Sequence, residues 1–403
     1  MQLAGGLRLG ANTARAVSNL LLDSVREPIG RALPRTAEQL ARPDVVNALL
    51  RDFPPLGAAR APRVRDVRLP GVDFESSNCR NFLLELDWET GADGPRSLYA
   101  KLPTASLRTR VFANALGFWA LECAFCERVA PHVPIRVPRV YASAQRGARF
   151  VLLLENLREL PGAKLFINRD MAAGTTVERA RLVLSAFAEL HAAFQGLRFD
   201  QREALLPMAL HPFLPPRKRA VTRVLNAAAI EPTLRAAPDL FSAELAALCR
   251  KANERWDALM AYWYREPLTL VHGDSHLANC FEYATAEGPR MGMLDFQAVH
   301  WSKGIRDVQY FLIHSLEPEL LAAYEGALID HYLAELARRG VTLDPDETRK
   351  EYRAFSFQTL MVGVVSLGLG GLTERADTVR TCLRREAAAI ERLRFGELLD
   401  ELG

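Results

Sequence analysis

Two carboxylates and a carboxamide follow strand-like runs in an order suited to phosphoryl transfer. The segment His272-Gly273-Asp274-Ser275-His276-Leu277-Ala278-Asn279 comes directly after the apolar run 268–271. Asp295, within Met293-Leu294-Asp295-Phe296-Gln297, stands sixteen residues beyond Asn279. Moving a phosphoryl group onto a hydroxyl needs a carboxylate that orients the hydroxyl and accepts its proton. It also needs oxygen ligands for magnesium and a cation that steadies the nucleotide. Asp274 is the candidate base. Asn279, five positions on, and Asp295 are candidate magnesium ligands, because a hard cation prefers oxygen donors. Each match is common when taken singly; in this order, on a strand–loop–strand frame, they point to one cleft. In such an oxygen-rich site the flanking His272 and His276 read as loop-shaping residues rather than ligands.

These residues need a scaffold, and hydropathy patterning supplies one. Strands are predicted at 82–88 and 97–102, joined by the turn-rich stretch 89–96. A helix follows from about Arg110 to Val129, then strands at 137–142 and 150–154 with Gln145-Arg146-Gly147 as their turn. Beyond Glu155 helices dominate. Leu182, Val183, Ala186, Phe187, Leu190 and Phe194 share one face, as do Leu245, Leu248, Cys249, Ala252, Trp256, Leu259 and Trp263. Short strands around 269–271, 280–283 and 292–294 interrupt the helices. The reading is an α+β, bilobal chain. A small antiparallel-sheet N-lobe spans 61–155 and a larger, mainly helical C-lobe spans 156–403. Residues 1–60, of weak periodicity, form an N-terminal extension with short helices, one of them over 41–50. The segment 198–240, with Pro207, Pro212, Pro215 and Pro216, reads as a poorly periodic insertion, and its Arg217-Lys218-Arg219 as a solvated loop.

Bulk properties narrow the class. A chain of 403 residues, 49% hydrophobic and 25% charged, is globular rather than disordered. A net charge of +3 is too small to indicate a nucleic-acid partner. Six cysteines in this length are no disulfide framework, so a reducing cytoplasm is expected. Cys123 and Cys126 form a C-x-x-C pair with no second pair to complete a zinc set, and read as core thiols. Residues 1–18 carry Arg8 and Arg15 and no acid, a transit-peptide-like composition read here as a helix leaning on the fold or a loose extension. The uncharged run 354–372 reads as a buried helix breaking into a Gly-rich turn, not a membrane span.

The form H-G-D-x-H-x-x-N has Gly273 where protein kinases place arginine. Asp295-Phe296-Gln297 and the stretch Gly304-Ile305-Arg306-Asp307-Val308-Gln309-Tyr310-Phe311-Leu312 follow it. This combination resembles the aminoglycoside phosphotransferase and choline kinase superfamily, of protein-kinase-like fold. It is most like the ecdysteroid-kinase-like group, over roughly residues 65 to 375. The resemblance implies ATP and Mg2+ as cofactors and an alcohol as phosphoryl acceptor. Lys101 then matches the lysine that pairs the nucleotide's α- and β-phosphates, and Glu122 the glutamate that holds it. The segment Glu155-Asn156-Leu157 falls where backbone groups meet adenine, and His191 resembles a histidine of the large-lobe core. The loop 75–81 departs from the protein-kinase pattern in having no glycine. Ser77 and Asn78 are its candidate phosphate donors, with a plain turn as the alternative. Asp307, at a helix start, caps that helix or braces the catalytic-loop backbone.

The acceptor is expected in the large lobe, shaped by 198–240 and the helices after 310, with Tyr262, Trp263, His300 and Trp301 as candidate lining. The subgroup alone implies an apolar or steroid-like alcohol. An aminoglycoside or a choline-like amino alcohol is the alternative acceptor. A non-catalytic nucleotide-binding scaffold is the alternative class, and the joint presence of Lys101, Asp274, Asn279 and Asp295 argues against it.

Overall fold

The computed structural model describes residues 2–27, 32–54, 62–71, 73–75, 79–90, 94–211, 218–369 and 376–402. They divide into two compact units. One comprises Leu9–Val133 and Val137–Pro161; the other comprises Met1–Arg8, Pro134–Arg136 and Gly162–Gly403.

In the first unit, helices α1 (Gln2–Arg26, from Leu9 onward), α2 (Ala37–Leu40) and α3 (Pro43–Asp52) precede the sheet. Its strands are β1 (Val64–Arg68), β2 (Asp73–Glu75), β3 (Cys79–Trp88) and β4 (Ser97–Pro103). After helices α4 (Leu107–Leu116) and α5 (Phe118–Ala124) come β5 (Val140–Arg146) and β6 (Arg149–Glu155). The order is β1-β3-β4-β6-β5, with β2 also on β3 and all pairs antiparallel. Leu40, Val46, Leu49 and Leu50 of the short helices bury against Phe82, Leu84, Leu98, Ala100, Leu102, Val151 and Leu153 of the sheet. Each such Leu, Val or Phe side chain contributes about 1.5–3 kcal/mol on burial. β3 begins before its predicted start, β4 and β6 extend slightly past their predicted ends, and β5 is shifted along the chain, beginning and ending later than predicted. The predicted helix 110–129 is divided at Gly117, whose φ of 81° ends α4, and it closes in a π-turn at Phe125–Val129.

The N-terminal extension corrects the expectation of short helices alone, since α1 runs for 25 residues. Ala16, Leu20 and Asp23 are buried in it, and Asp23 Oδ2 accepts the Ala148 N–H at 2.8 Å. Neighbouring Gly147, at φ 60°, lies so close that a Cβ there would meet the same carboxylate at 2.4 Å. A turn more than a hundred residues downstream thus holds α1, and no local periodicity encodes that.

The second unit is mainly helical. Strand β7 (Lys164–Leu165) is followed by helices α6 (Asn168–Ala173), α7 (Val177–Phe194), α8 (Phe199–Leu205), α9 (Arg219–Ala236), α10 (Ala243–Glu254) and α11 (Trp256–Trp263). Strands β8 (Thr269–Val271), β9 (Cys280–Thr285), β10 (Gly288–Met293) and β11 (His300–Ser302) then lead into helices α12 (Ile305–Ser315), α13 (Pro318–Arg338), α14 (Pro345–Gly368), α15 (Ala376–Arg392) and α16 (Phe395–Glu401). β9 and β10 form a hairpin joined by β7, and β8 pairs with β11. The proline-rich segment is more regular than its sequence suggests. It holds α8 and α9; α9 continues through Pro232, and the next residue, Thr233, donates its hydroxyl to Val364 O at 2.7 Å and ties α9 to α14. Arg219 opens α9, whereas Arg217, Pro212, Pro215 and Pro216 lie outside the described residues.

Helix α12 is buried at all eleven positions although it carries Arg306, Asp307, Gln309, His314 and Ser315. A polar helix buried all round must spend those groups on internal hydrogen bonds. All six cysteines are free and buried. Helix α14 accounts for most of the uncharged run, with Gly370 and Gly371 outside the described residues. Among the described residues no helix is long and apolar enough to cross a membrane.

Candidate active site

Strand β8 delivers the chain into the loop 272–279. Gly273 has φ 85°, and a Cβ there would sit 2.0 Å from Ala298 O. Both the left-handed backbone and the close approach require glycine. Asp307 of α12 braces the loop, as one of its two expected roles proposed. Its Oδ2 accepts the His272 N–H at 2.6 Å and its Oδ1 the Gly273 N–H at 3.0 Å. Ser275 Oγ donates to Asp307 O at 3.0 Å. Arg306 Nη1 lies 3.3 Å from Oδ1, and His191 Nε2 lies 3.3 Å from Oδ2. Burial pushes the Asp307 pKa up, but the hydrogen bond from His191 and the Arg306 guanidinium hold it well below the usual carboxylate range. Tyr332 OH completes His191 from its Nδ1 side at 2.9 Å, so that histidine is a core residue carrying the brace.

His272 is neutral and directional. Its Nδ1 accepts the Asp274 N–H at 3.2 Å, while Nε2 faces Leu294 O at 2.9 Å and carries the proton. Burial lowers its pKa, in keeping with that tautomer. Leu294 N also donates to Asn279 O at 3.0 Å. These two bonds tie the Asp274 loop to the segment that presents Asp295. Asp295 takes φ 65°, a left-handed backbone that costs an L-residue about 1–2 kcal/mol. Phe296 packs on the His272 ring at 4.4 Å.

The Asp274 side chain keeps 23% of its surface exposed, so a ligand can reach it. Tyr310 OH donates to its Oδ1 at 2.9 Å, and Asn279 Nδ2 donates to Oδ2 at 3.1 Å and to Asp274 O at 2.8 Å. His276 Nε2 stands 3.6 Å from Oδ1. Burial raises the Asp274 pKa, yet the adjacent His276 and the Tyr310 hydroxyl outweigh it and hold the carboxyl below its ordinary value. Asn279 spends its amide nitrogen on Asp274, which leaves its oxygen as the donor for a metal. With Asp295 that would make two oxygen ligands, a set that could hold magnesium, which keeps waters and phosphate oxygens for its other positions. Among the described residues no group of three or more His, Cys, Asp or Glu forms a closed metal cage.

Tyr310 is the residue that sequence reasoning missed. It lies one turn beyond Asp307 on the same face of α12, and that i, i+3 spacing was the available signal. A further turn on, His314 bonds Tyr310 O through Nδ1 at 2.9 Å and Glu386 Oε1 through Nε2 at 2.7 Å. Burial lowers the His314 pKa to about 4 and raises that of Glu386 well above the carboxylate range. The pair is therefore neutral: Nδ1 donates to the carbonyl, and protonated Glu386 donates to Nε2.

In the sheet unit, Lys101 on β4 and Glu122 on α5 meet as a buried ion pair at 2.5 Å. Glu155 ends β6 with its Oε2 accepting the Arg139 N–H at 3.0 Å, and Leu157 is buried in the 3-10 turn after it. Ser77 and Asn78 lie outside the described residues. Cys123 and Cys126 are buried beside Glu122, and burial pushes both thiols up, away from reactivity.

The expected acceptor lining is largely corrected. Trp263 and Trp301 are fully buried and donate to Ala354 O at 3.1 Å and Leu206 O at 2.8 Å. His300 is buried against His211, its pKa lowered to about 3 by burial and Arg306. Tyr262 carries the Arg265 guanidinium 3.8 Å above its ring. The first three are core packing; a large aromatic buries too much surface to stay open unless something holds it out.

An antiparallel sheet unit with a buried lysine–glutamate pair, and a helical unit with H-G-D-x-H-x-x-N and D-F-Q at neighbouring strand ends, define the protein-kinase-like fold of the aminoglycoside phosphotransferase and choline kinase superfamily. Within it, the chain belongs to the ecdysteroid kinase-like family, whose model matches residues 96–343. Among solved structures it is similar to a Ralstonia eutropha protein described as an aminoglycoside phosphotransferase, at 14% identity, covering 88% of this chain and 98% of that one, TM-score 0.49. It is also similar to a microcompartment-associated aminopropanol kinase, at 14% identity over 82% and 91%, TM-score 0.49. A choline kinase of Cryptosporidium parvum is similar at 11% identity over 89% and 96%, TM-score 0.47. No curated protein matches the chain.

Proposed function

We propose that the protein is an ATP-dependent phosphotransferase acting on the hydroxyl of a small alcohol. The observation that carries this reading is the Asp274 carboxylate, kept ionised by named donors and still open on one side. In the proposed reaction the acceptor hydroxyl donates a hydrogen bond to Asp274. Its oxygen forms the new bond to the γ-phosphorus as the β,γ-bridging bond breaks, and its proton passes to Asp274. A carboxylate of lowered pKa is a weak base, which suits a loose transition state in which that proton leaves late. Asn279 and Asp295 would hold magnesium, whose charge offsets that of the phosphates. Lys101, oriented by Glu122, pairs with the nucleotide, the stretch 155–157 offers backbone groups to the base, and Ser77 and Asn78 are proposed for the phosphates. The six buried free thiols suit a cytoplasmic setting.

The family's description favours a steroid-like alcohol as acceptor. ATP consumption against a panel of steroid, amino and simple alcohols tests the assignment, with Asp274→Asn as control. Turnover with at least one alcohol, lost about a thousandfold or more in the variant, is expected. Magnesium-dependent ATP binding with no acceptor phosphorylated above the variant's level would instead favour a nucleotide-binding scaffold.

A further inference from the structure

The sheet unit holds a second site. A cavity of about 240 Å3 is lined by Glu27, Arg35, Thr36, Arg80, Arg110 and Arg149, with Pro103 to Ala105 at its edge. Among the described lining residues four guanidinium groups face one acid, Glu27, which is already engaged. Arg149 Nη2 donates to Glu27 Oε2 at 2.7 Å and Nη1 to Leu33 O at 2.8 Å, while Gln39 occupies Glu27 Oε1 at 3.2 Å. Arg110 is the telling member. It is only 7% exposed, it makes no side-chain hydrogen bond or ion pair with any described residue, and its Nε is fully buried. Burial and the charges of Arg35 and Arg149 push its guanidinium pKa down, and the Asp23 and Glu27 carboxylates offset this only in part. A buried cation beside like charges is unfavourable unless an anion completes it.

Other features favour the same ligand. The cavity takes in the entry to the ten-residue helix α4, whose first turn has no acidic residue and whose dipole attracts an anion. The arginine fork matches phosphate oxygens in pairs. The cavity is smaller than the roughly 300–1,000 Å3 that drug-sized ligands fill, so it suits a phosphate with a short substituent rather than a nucleotide. It also differs from the Lys101 site. Asn81 is the cross-strand partner of Lys101, and adjacent Arg80 projects from the opposite face of the sheet.

We propose that this arginine pocket binds a phosphate group, either inorganic phosphate or the phosphate of a small phosphomonoester. Thermal melting of the full chain with sodium phosphate or glycerol 3-phosphate, against chloride at matched ionic strength, tests it. Both are expected to raise the melting temperature saturably, with apparent affinity weakened at least tenfold in Arg110→Gln and in the half-buried Arg80→Gln. The effect should persist in Lys101→Met, which disables the nucleotide site. Without phosphate, Arg110→Gln should melt no lower than the parent, because a repelled cation has gone; a structural arginine would melt lower. Stabilisation by the ester alone identifies a phosphorylated metabolite as the ligand, and stabilisation by both identifies the free anion as sufficient. No phosphate-specific shift, or a shift intact in both arginine variants and lost in Lys101→Met, would overturn the proposal.

Discussion

The phenolic hydroxyl of Tyr310 donates to Asp274 Oδ1 at 2.9 Å, from the middle of a helix buried at all eleven positions. The buried helix α12 thus contacts the partly exposed carboxylate directly. Two turns of that helix carry the brace, the donor and a neutral histidine in succession: Asp307, Tyr310 and His314. The site is rigid because α12 is part of the core.

Tyr310→Phe removes the donor and little volume. Because that hydrogen bond favours ionised Asp274, its loss raises the Asp274 pKa. The ionised form is needed, so the acid limb of kcat should move to higher pH. At neutral pH kcat should fall by about tenfold, the equivalent of one hydrogen bond to a charged group. A pH profile of kcat and of acceptor KM reads both effects, and an unmoved acid limb would separate Tyr310 from Asp274 ionisation.

Asp307→Asn should be costly to the fold. The amide cannot accept from His272 and Gly273 as the carboxylate does, and it leaves Arg306 buried without its anion. A loss of about 3–5 kcal/mol is expected at neutral pH. The native pKa of Asp307 is depressed, so its contribution is complete above the unfolded carboxylate value near 4 and declines as pH falls below it. Urea denaturation should therefore show the gap between parent and variant at pH 7 and a smaller one at pH 3.

Glu386→Gln should stabilise. Glu386 holds a raised native pKa, so its contribution is complete below the unfolded value and is lost as pH rises toward the native one. Gln donates to His314 Nε2 without a proton to lose. The variant should melt higher than the parent, by a margin that grows between pH 5 and pH 8. A constant margin would mean that Glu386 is ionised in the native protein.

Gly273→Ala should leave a folded but inactive protein. The added Cβ must displace the Ala298 carbonyl and strain a left-handed backbone, which moves Asp274 from its place. A loss of about a hundredfold or more in turnover, with far-UV circular dichroism retained, is expected.

The candidate site was legible wherever its logic is local. Asp274, Asn279 and Asp295 could be read because one loop and one hairpin separate them, so chain spacing alone nearly sets their geometry. The strands of the sheet unit were legible because period-two patterning reports burial directly, and Gly273 because a backbone that excludes Cβ excludes every other residue type. Where the reading failed, the deciding contacts were remote. The helix α1 depends on Asp23 meeting Ala148, and α9 runs through Pro232 with its next residue bonded to Val364 on another helix. Trp263, His300 and Trp301 left the acceptor site because packing buried them, which no hydropathy value distinguishes from lining a pocket. In this protein the sequence by itself determined the order of chemical groups and the backbone freedom they need. The tertiary structure decided which partners hold them, as with Tyr310 on Asp274, Asp307 on the loop and a buried Arg110 with no side-chain hydrogen bond among the described residues. Partner choice depends on distances between segments far apart in the chain, and those exist only once the core has packed.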